Sequence, residues 1–116
     1  MKKLETKCAR VKLKPGCLEK AYAWAKELNN RSDEVYQTLK DEGVYIESVF
    51  LEKTTEGEFL IYFMKMESGQ IAREVANKSQ HSIDKFHQEI MKEITDKGEA
   101  LEILIDFERL SELTFI

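Results

Sequence analysis

Two neighbouring runs of β-branched and aromatic residues in the middle of the chain constrain its fold more than any other feature. Val44 to Lys53 contains Val44, Tyr45, Ile46, Val49 and Phe50, and Glu58 to Met66 contains Phe59, Leu60, Ile61, Tyr62, Phe63 and Met64. Such side chains pack well on a pleated surface. Thr54-Thr55-Glu56-Gly57 lies between the runs and supplies turn chemistry, so the pair reads as a β-hairpin. A lone hairpin is marginal in water. The flanking sequence must therefore provide further strands and a helical cover.

It does so on both sides. In Thr6 to Leu13, Ala9, Val11 and Leu13 alternate with Cys8, Arg10 and Lys12, the period of a half-buried strand that Lys14-Pro15-Gly16 ends. From Cys17 to Glu42 the period lengthens. Leu18, Ala21, Ala25, Leu28, Ser32, Val35 and Leu39 form one helical stripe, with a kink or break expected near Asn29-Asn30-Arg31-Ser32 and Gly43 as C-cap. After the hairpin, Ser68 is placed to cap a short helix carrying Ile71, Ala72, Val75 and Ala76. Ser82 is the expected N-cap of a second helix, with Ile83, Phe86, His87, Ile90, Met91 and Ile94, that stops at Gly98. Leu101, Ile103, Ile105 and Phe107 then alternate with Glu102, Leu104, Asp106 and Glu108 as a last strand. Residues 109–116 form a tail with Leu110, Leu113, Phe115 and Ile116.

The order strand, helix, strand, strand, helix pair, strand predicts an α+β, ferredoxin-like βαββαβ domain spanning residues 1–116. Right-handed crossovers put both helical layers on one face of a four-stranded antiparallel sheet, with the first strand between the third and the last. A chain of 116 residues can bury one core of this kind without metal or disulfide support.

Charge and cysteine content narrow the partners. The net charge of −4 comes from 18 basic and 22 acidic residues mixed along the chain, so duplex nucleic acid is not expected to bind. Cys8 and Cys17 form no CxxC pair, and the N-terminus lacks the apolar run of a signal peptide. No segment approaches the ~20 apolar residues of a membrane span. The expectation is a cytoplasmic protein with reduced thiols.

If the helices cover Ala9, Val11, Leu13, Val44, Ile46, Phe59, Ile61, Phe63 and the inward residues of the last strand, the other face carries Cys8, Arg10, Lys12, Tyr45, Glu47, Val49, Leu51, Leu60, Tyr62, Met64, Glu102, Leu104 and Asp106. An apolar patch this large on a sheet usually meets something, and a second copy of the same face is the simplest partner.

Cys8-Ala-Arg-Val-Lys-Leu-Lys-Pro-Gly16, Asp41-Glu-Gly-Val-Tyr-Ile-Glu-Ser-Val-Phe-Leu51 and His81-Ser-Ile-Asp-Lys-Phe-His87 resemble segments of small bacterial proteins of the dimeric α+β barrel superfamily. Across nearly its whole length the chain is similar to an uncharacterised bacterial family within it. The resemblance implies two sheets packed face to face around a shared interior. Cofactor-free monooxygenases, sugar mutarotases, haem peroxidases and proteins with no known activity share that fold, and fold alone does not select among them.

Few residues offer chemistry. Arg10 lies mid-strand, and with Tyr62 on one side and Glu102 or Asp106 on the other, its guanidinium is a candidate grip for a small organic anion. The alternative is an interface ion pair. Tyr45, Glu47 and Tyr62 are candidates for a polar pocket, with Glu47 as a general base if burial raises its pKa. His81, Asp84 and His87 cluster at the start of the last helix. Asp84 can orient either histidine, and His87 is a second candidate for proton transfer. Trp24 and Tyr22 are expected at the margin of the first helical stripe. No sequence pattern points to a metal site, a cofactor or a phosphate loop. The primary expectation is a non-catalytic or small-ligand-binding homodimer joined through the open sheet face. The alternative is a cofactor-free enzyme, of monooxygenase or isomerase/mutarotase type, acting on a small organic molecule.

Overall fold

A computed structural model describes residues 3–110. The elements run β1 (Glu5–Leu13), α1 (Leu18–Asn30), α2 (Ser32–Glu42), β2 (Val44–Thr54), β3 (Gly57–Met66), α3 (Gly69–Lys78), α4 (Ser82–Ile94) and β4 (Thr95–Ala100). The four strands form one antiparallel sheet in the order β2-β3-β1-β4, so β1 lies between the hairpin and the last strand as the crossover rule requires. All four helices lie on one face. The architecture is the α+β ferredoxin-like one that the alternation of periods predicts.

The local signals explain most boundaries. Gly43 ends α2 with φ 70°, and a Cβ there would also meet Glu67 Oε2 at 2.6 Å, so both backbone and space favour glycine. Ser68 caps α3 by accepting the Ile71 amide. The weak stretch after Leu28 is a full break: Arg31 N–H closes α1 on the carbonyls of Glu27 and Leu28, and α2 begins at the next residue. The Arg31 guanidinium bonds both Glu34 oxygens at 2.7 and 2.8 Å and reaches Ser82 Oγ at 2.8 Å, tying the break to the start of α4. Ser82 is therefore the first residue of α4 and an acceptor for Arg31. His81 occupies the N-cap position and makes no side-chain cap bond.

The last strand is displaced from its expected position. α4 stops at Ile94, where the Thr95 hydroxyl bonds the Met91 carbonyl and the Lys14 amide takes the Ile94 carbonyl. The chain then pairs at once with β1, Thr95 opposite Leu13 and Gly98 opposite Val11. Gly98 is thus a strand residue. A Cβ on it would come within 3.0 Å of Val11 Cγ2. Residues 101–110 run on from β4 with no strand pairing beyond the Leu101 amide on the Cys8 carbonyl. Leu104, Ile105 and Phe107 are 84%, 78% and 88% exposed. Alternation there reflects an arm, not a ladder. The expected tail of residues 109–116 lies, beyond Leu110, outside the described residues.

The faces of the hairpin are the larger correction. Val44 is buried on the helix side as expected, but the register shifts between Val44 and Ile46, and this bulge at Tyr45 inverts the alternation that follows. Glu47, Val49 and Leu51 therefore face the helices. β3 has no alternation to read, because Phe59 to Met64 is apolar throughout, and the structure turns Leu60, Tyr62, Met64 and Met66 toward the helices. The open face carries Cys8, Arg10, Lys12, Phe50, Phe59, Ile61 and Phe63 instead.

Candidate functional site

The core between sheet and helices is divided. One cluster joins Leu13, Ala21, Trp24, Leu60 and Ile94, with Val49, Leu51, Tyr62, Phe86 and Met91 against it; the other joins Val44, Met66 and Ala72, with Leu39 and Met64 against it. Polar, titratable residues occupy the seam between the clusters. Glu47 comes from β2, Tyr62 from β3, and Asp84 and His87 from α4. The spacing of three puts Asp84 and His87 on one side of that helix.

Glu47 lies opposite Met64 on the helix side of the sheet and keeps an exposed surface. Desolvation raises its pKa, and the nearby charge of Asp84 raises it further. Among the described residues no hydrogen bond or ion pair holds its carboxylate. Tyr62 donates its hydroxyl to Met91 Sδ at 3.0 Å. Burial, then the charge of Glu47, push its ionisation well above the ordinary range, so it remains a phenol. His87 receives the indole N–H of Trp24 on Nδ1 at 3.0 Å, with the rings stacked at 5.6 Å between centroids and 29° between planes. Burial lowers the pKa of His87 and Asp84 opposes that shift.

Asp84 also lines an adjoining pocket of ≈ 300 Å³ between the ends of α2 and α3 and the start of α4, with Glu42, Val75, Lys78 and His81. Glu42 is half-buried there. Desolvation, then the charges of Asp84, Glu47 and Asp41, push its pKa up to about 7, against the pull of His81. His81 Nε2 lies 2.8 Å from Asp41 Oδ2 and links the end of α2 to the loop before α4. His81 thus pairs with Asp41, and Asp84 lies near Glu47 and His87.

The residues singled out in the sequence fall into two groups. Glu47, Tyr62 and His87 lie on the helix side, Tyr62 near Glu47 and both Glu47 and His87 near Asp84. Arg10, Tyr45 and Asp106 lie elsewhere. Arg10 faces the open side, where its guanidinium sits 3.6 Å from the centroid of Phe59 and its Nε bonds Glu52 at 2.8 Å. Tyr45 is the bulge residue and 59% exposed. Asp106 accepts from Thr6 at 2.9 Å and from Lys65 at 3.0 Å, which ties the arm to the sheet. Trp24, expected at a helix margin, is 4% exposed and orients His87; its spacing of three from Ala21 and four to Leu28 places it within the same stripe. Glu42 gave no sequence signal, because its setting depends on three helix ends meeting. Among the described residues no group of three or more His, Cys, Asp or Glu is arranged to hold a metal ion, and no helix is long and apolar enough to cross a membrane.

Residues 4–112 match a family model described as "Family of unknown function (DUF6176)". Among curated proteins nothing matches the chain. Among solved structures it is similar to an L-rhamnose mutarotase from Formosa agariphila, with 28% identity over 90% of this chain and 99% of that one, TM-score 0.57. It is also similar to a protein of unknown function from Bacteroides thetaiotaomicron described as a possible oxidoreductase (20% identity, 89% and 100% covered, TM-score 0.54). A third is Rv0793 from Mycobacterium tuberculosis (18% identity, 89% and 97% covered, TM-score 0.52). The last two likenesses are of fold alone.

Proposed function

The chain belongs to this family of unknown function, so its activity is argued from its own residues, and we propose that it is a cofactor-independent isomerase that moves a proton on a small, neutral, hydroxylated molecule bound over Glu47. The observation that carries this reading is the Glu47 carboxylate, without a hydrogen-bond partner among the described residues, on the helix side of the sheet near the Tyr62 phenol and Asp84. A carboxyl group with a raised pKa is nearer to even sharing of a proton at neutral pH, and this suits it both to take and to return one. The carboxyl groups of Glu42, Asp84 and Glu47 lie near one another and disfavour an anion, so a neutral ligand suits this surface better than the small organic anion considered for Arg10.

Ring opening of a reducing sugar is the reaction of this class that the mutarotase neighbour suggests. In it, Glu47 takes the proton of the anomeric hydroxyl as the ring carbon–oxygen bond breaks, and that proton is passed to the ring oxygen, leaving the open-chain aldehyde. Closure on the other face reverses both transfers and yields the other anomer. No net proton, electron or water is consumed. The test is anomer exchange by saturation-transfer NMR over a panel of reducing sugars that includes L-rhamnose. Exchange above the uncatalysed rate with at least one sugar supports the proposal. No exchange and no line broadening across the panel overturns it.

A second proposal concerns assembly in the cytoplasm and rests on a different observation. Phe50 is 59% exposed on the open sheet face, and the arm presents Leu104, Ile105 and Phe107 to solvent. Exposed apolar surface of this extent suits a second copy of the chain. Light scattering is expected to give the mass of a homodimer, and a double change Leu104→Ser with Phe107→Ser that leaves the dimer intact would count against the arm's part in it.

A further inference from the structure

We propose that Trp24 is a positioning residue that fixes His87 in a single tautomer, the one with its proton on Nε2, and so makes the other ring nitrogen of His87 a hydrogen-bond donor and not a base. The argument starts from the donor inventory. An indole nitrogen can only donate, so the imidazole nitrogen 3.0 Å from Trp24 Nε1 must accept. That nitrogen is Nδ1 of His87, and a neutral imidazole whose Nδ1 accepts carries its hydrogen on Nε2.

The contact is built to hold. Trp24 is 4% exposed and packs in the cluster with Leu13, Ala21, Leu60 and Ile94, which leaves its ring little room to turn. Stacking at 5.6 Å and 29° restrains the imidazole as well. The same bond opposes protonation of the ring, since an N–H on Nδ1 would be set against the indole N–H and leave a buried donor unpaired.

A division of labour follows, and this step rests on the proposed isomerase reading. Glu47 moves the proton, while the Nε2–H of His87 steadies developing negative charge on a substrate oxygen. Sequence alone left both residues as candidates for the same role. The hydrogen bond separates them.

The tautomer is measurable without any substrate. In uniformly ¹⁵N-labelled protein, long-range imidazole correlations at neutral pH are expected to show His87 with an unprotonated Nδ1 and a protonated Nε2. A trans-hydrogen-bond ¹⁵N–¹⁵N coupling is expected between Trp24 Nε1 and His87 Nδ1. Trp24→Phe keeps an aromatic ring but removes the donor. It is expected to give a mixed tautomer signal and, where exchange activity is found, about a tenfold lower kcat. A wild-type His87 with its proton on Nδ1, or the absence of the coupling, overturns the proposal even if the variant fails to fold. So does an unchanged single tautomer in a folded Trp24→Phe protein. These spectra are independent of turnover, so failure of the isomerase reading in the anomer-exchange assay is told apart from failure of the positioning role.

Discussion

Arg10 and Tyr62 lie on neighbouring strands and face opposite sides of the sheet, because the residue opposite Tyr62 is Ala9. Arg10 spreads over Phe59 toward Glu52, whereas Tyr62 points under α4 to Met91. The two side chains therefore answer to different measurements. Tyr62→Phe removes one hydrogen-bonding group near Glu47 and is expected to lower turnover about three- to tenfold. Arg10→Ala is expected to leave turnover per protomer unchanged and to weaken self-association. Anomer exchange and sedimentation on the same two variants check both halves.

Leu60 and Ile61 test the face assignment directly, being adjacent in sequence and opposed in direction. Leu60 is 4% exposed among Leu13, Ala21, Trp24 and Ile94. Leu60→Ala is expected to lower unfolding free energy by about 2–5 kcal/mol, through lost transfer energy and the cavity left behind. Ile61→Ala faces away from that core and is expected to cost less than half as much in the monomer. Urea denaturation of the pair is sufficient. Equal losses, or the reverse order, would place the wrong face of β3 against the helices.

How much of this was legible in the sequence varies with the physics that decides it. Hairpin, helix break, Gly43 cap and strand order follow from local propensity and chain connectivity, and all are present. Face assignment failed where local pattern carried no information: Phe59 to Met64 is apolar on both sides, and the bulge at Tyr45 adds one residue to β2 that no period reveals. β4 was placed late because Gly98 looks like a helix stop, yet it serves a close approach to Val11 within the sheet. For the site, Glu47, Tyr62 and His87 were recognisable as chemistry-bearing residues. Their company was not, since it depends on the same faces. Glu42 and Trp24 acquire their roles only through tertiary contacts.

The seam also has a consequence for stability. Glu42 is harder to ionise in the folded protein, its pKa raised to about 7 from an ordinary 4.5. A raised pKa means that the folded state binds more protons than the unfolded state between these values. Its favourable contribution is thus complete below about 4.5 and is lost as pH rises through about 7. Glu42→Gln removes the titrating group while keeping its shape. The variant is expected to equal the wild type in thermal midpoint near pH 4 and to exceed it at pH 8. A constant difference at the two pH values would show that Glu42 does not titrate in this window.

Glu47 is the most demanding test of the proposed chemistry, because the reading gives it the only proton movement. Its carboxylate has no hydrogen-bond partner among the described residues, so Glu47→Gln breaks no internal contact. Desolvation and Asp84 both disfavour its charge in the folded state, and a neutral amide escapes that penalty. The variant is accordingly expected to be at least as stable as the wild type at neutral pH, the opposite of what loss of a structural ion pair would give. Turnover is expected to fall by about 100-fold or more, the usual scale for a general acid–base group. Stability and activity thus move in different directions for one substitution. A Glu47→Gln protein that is destabilised and fully active would reverse both signs and leave the carboxylate a structural role alone.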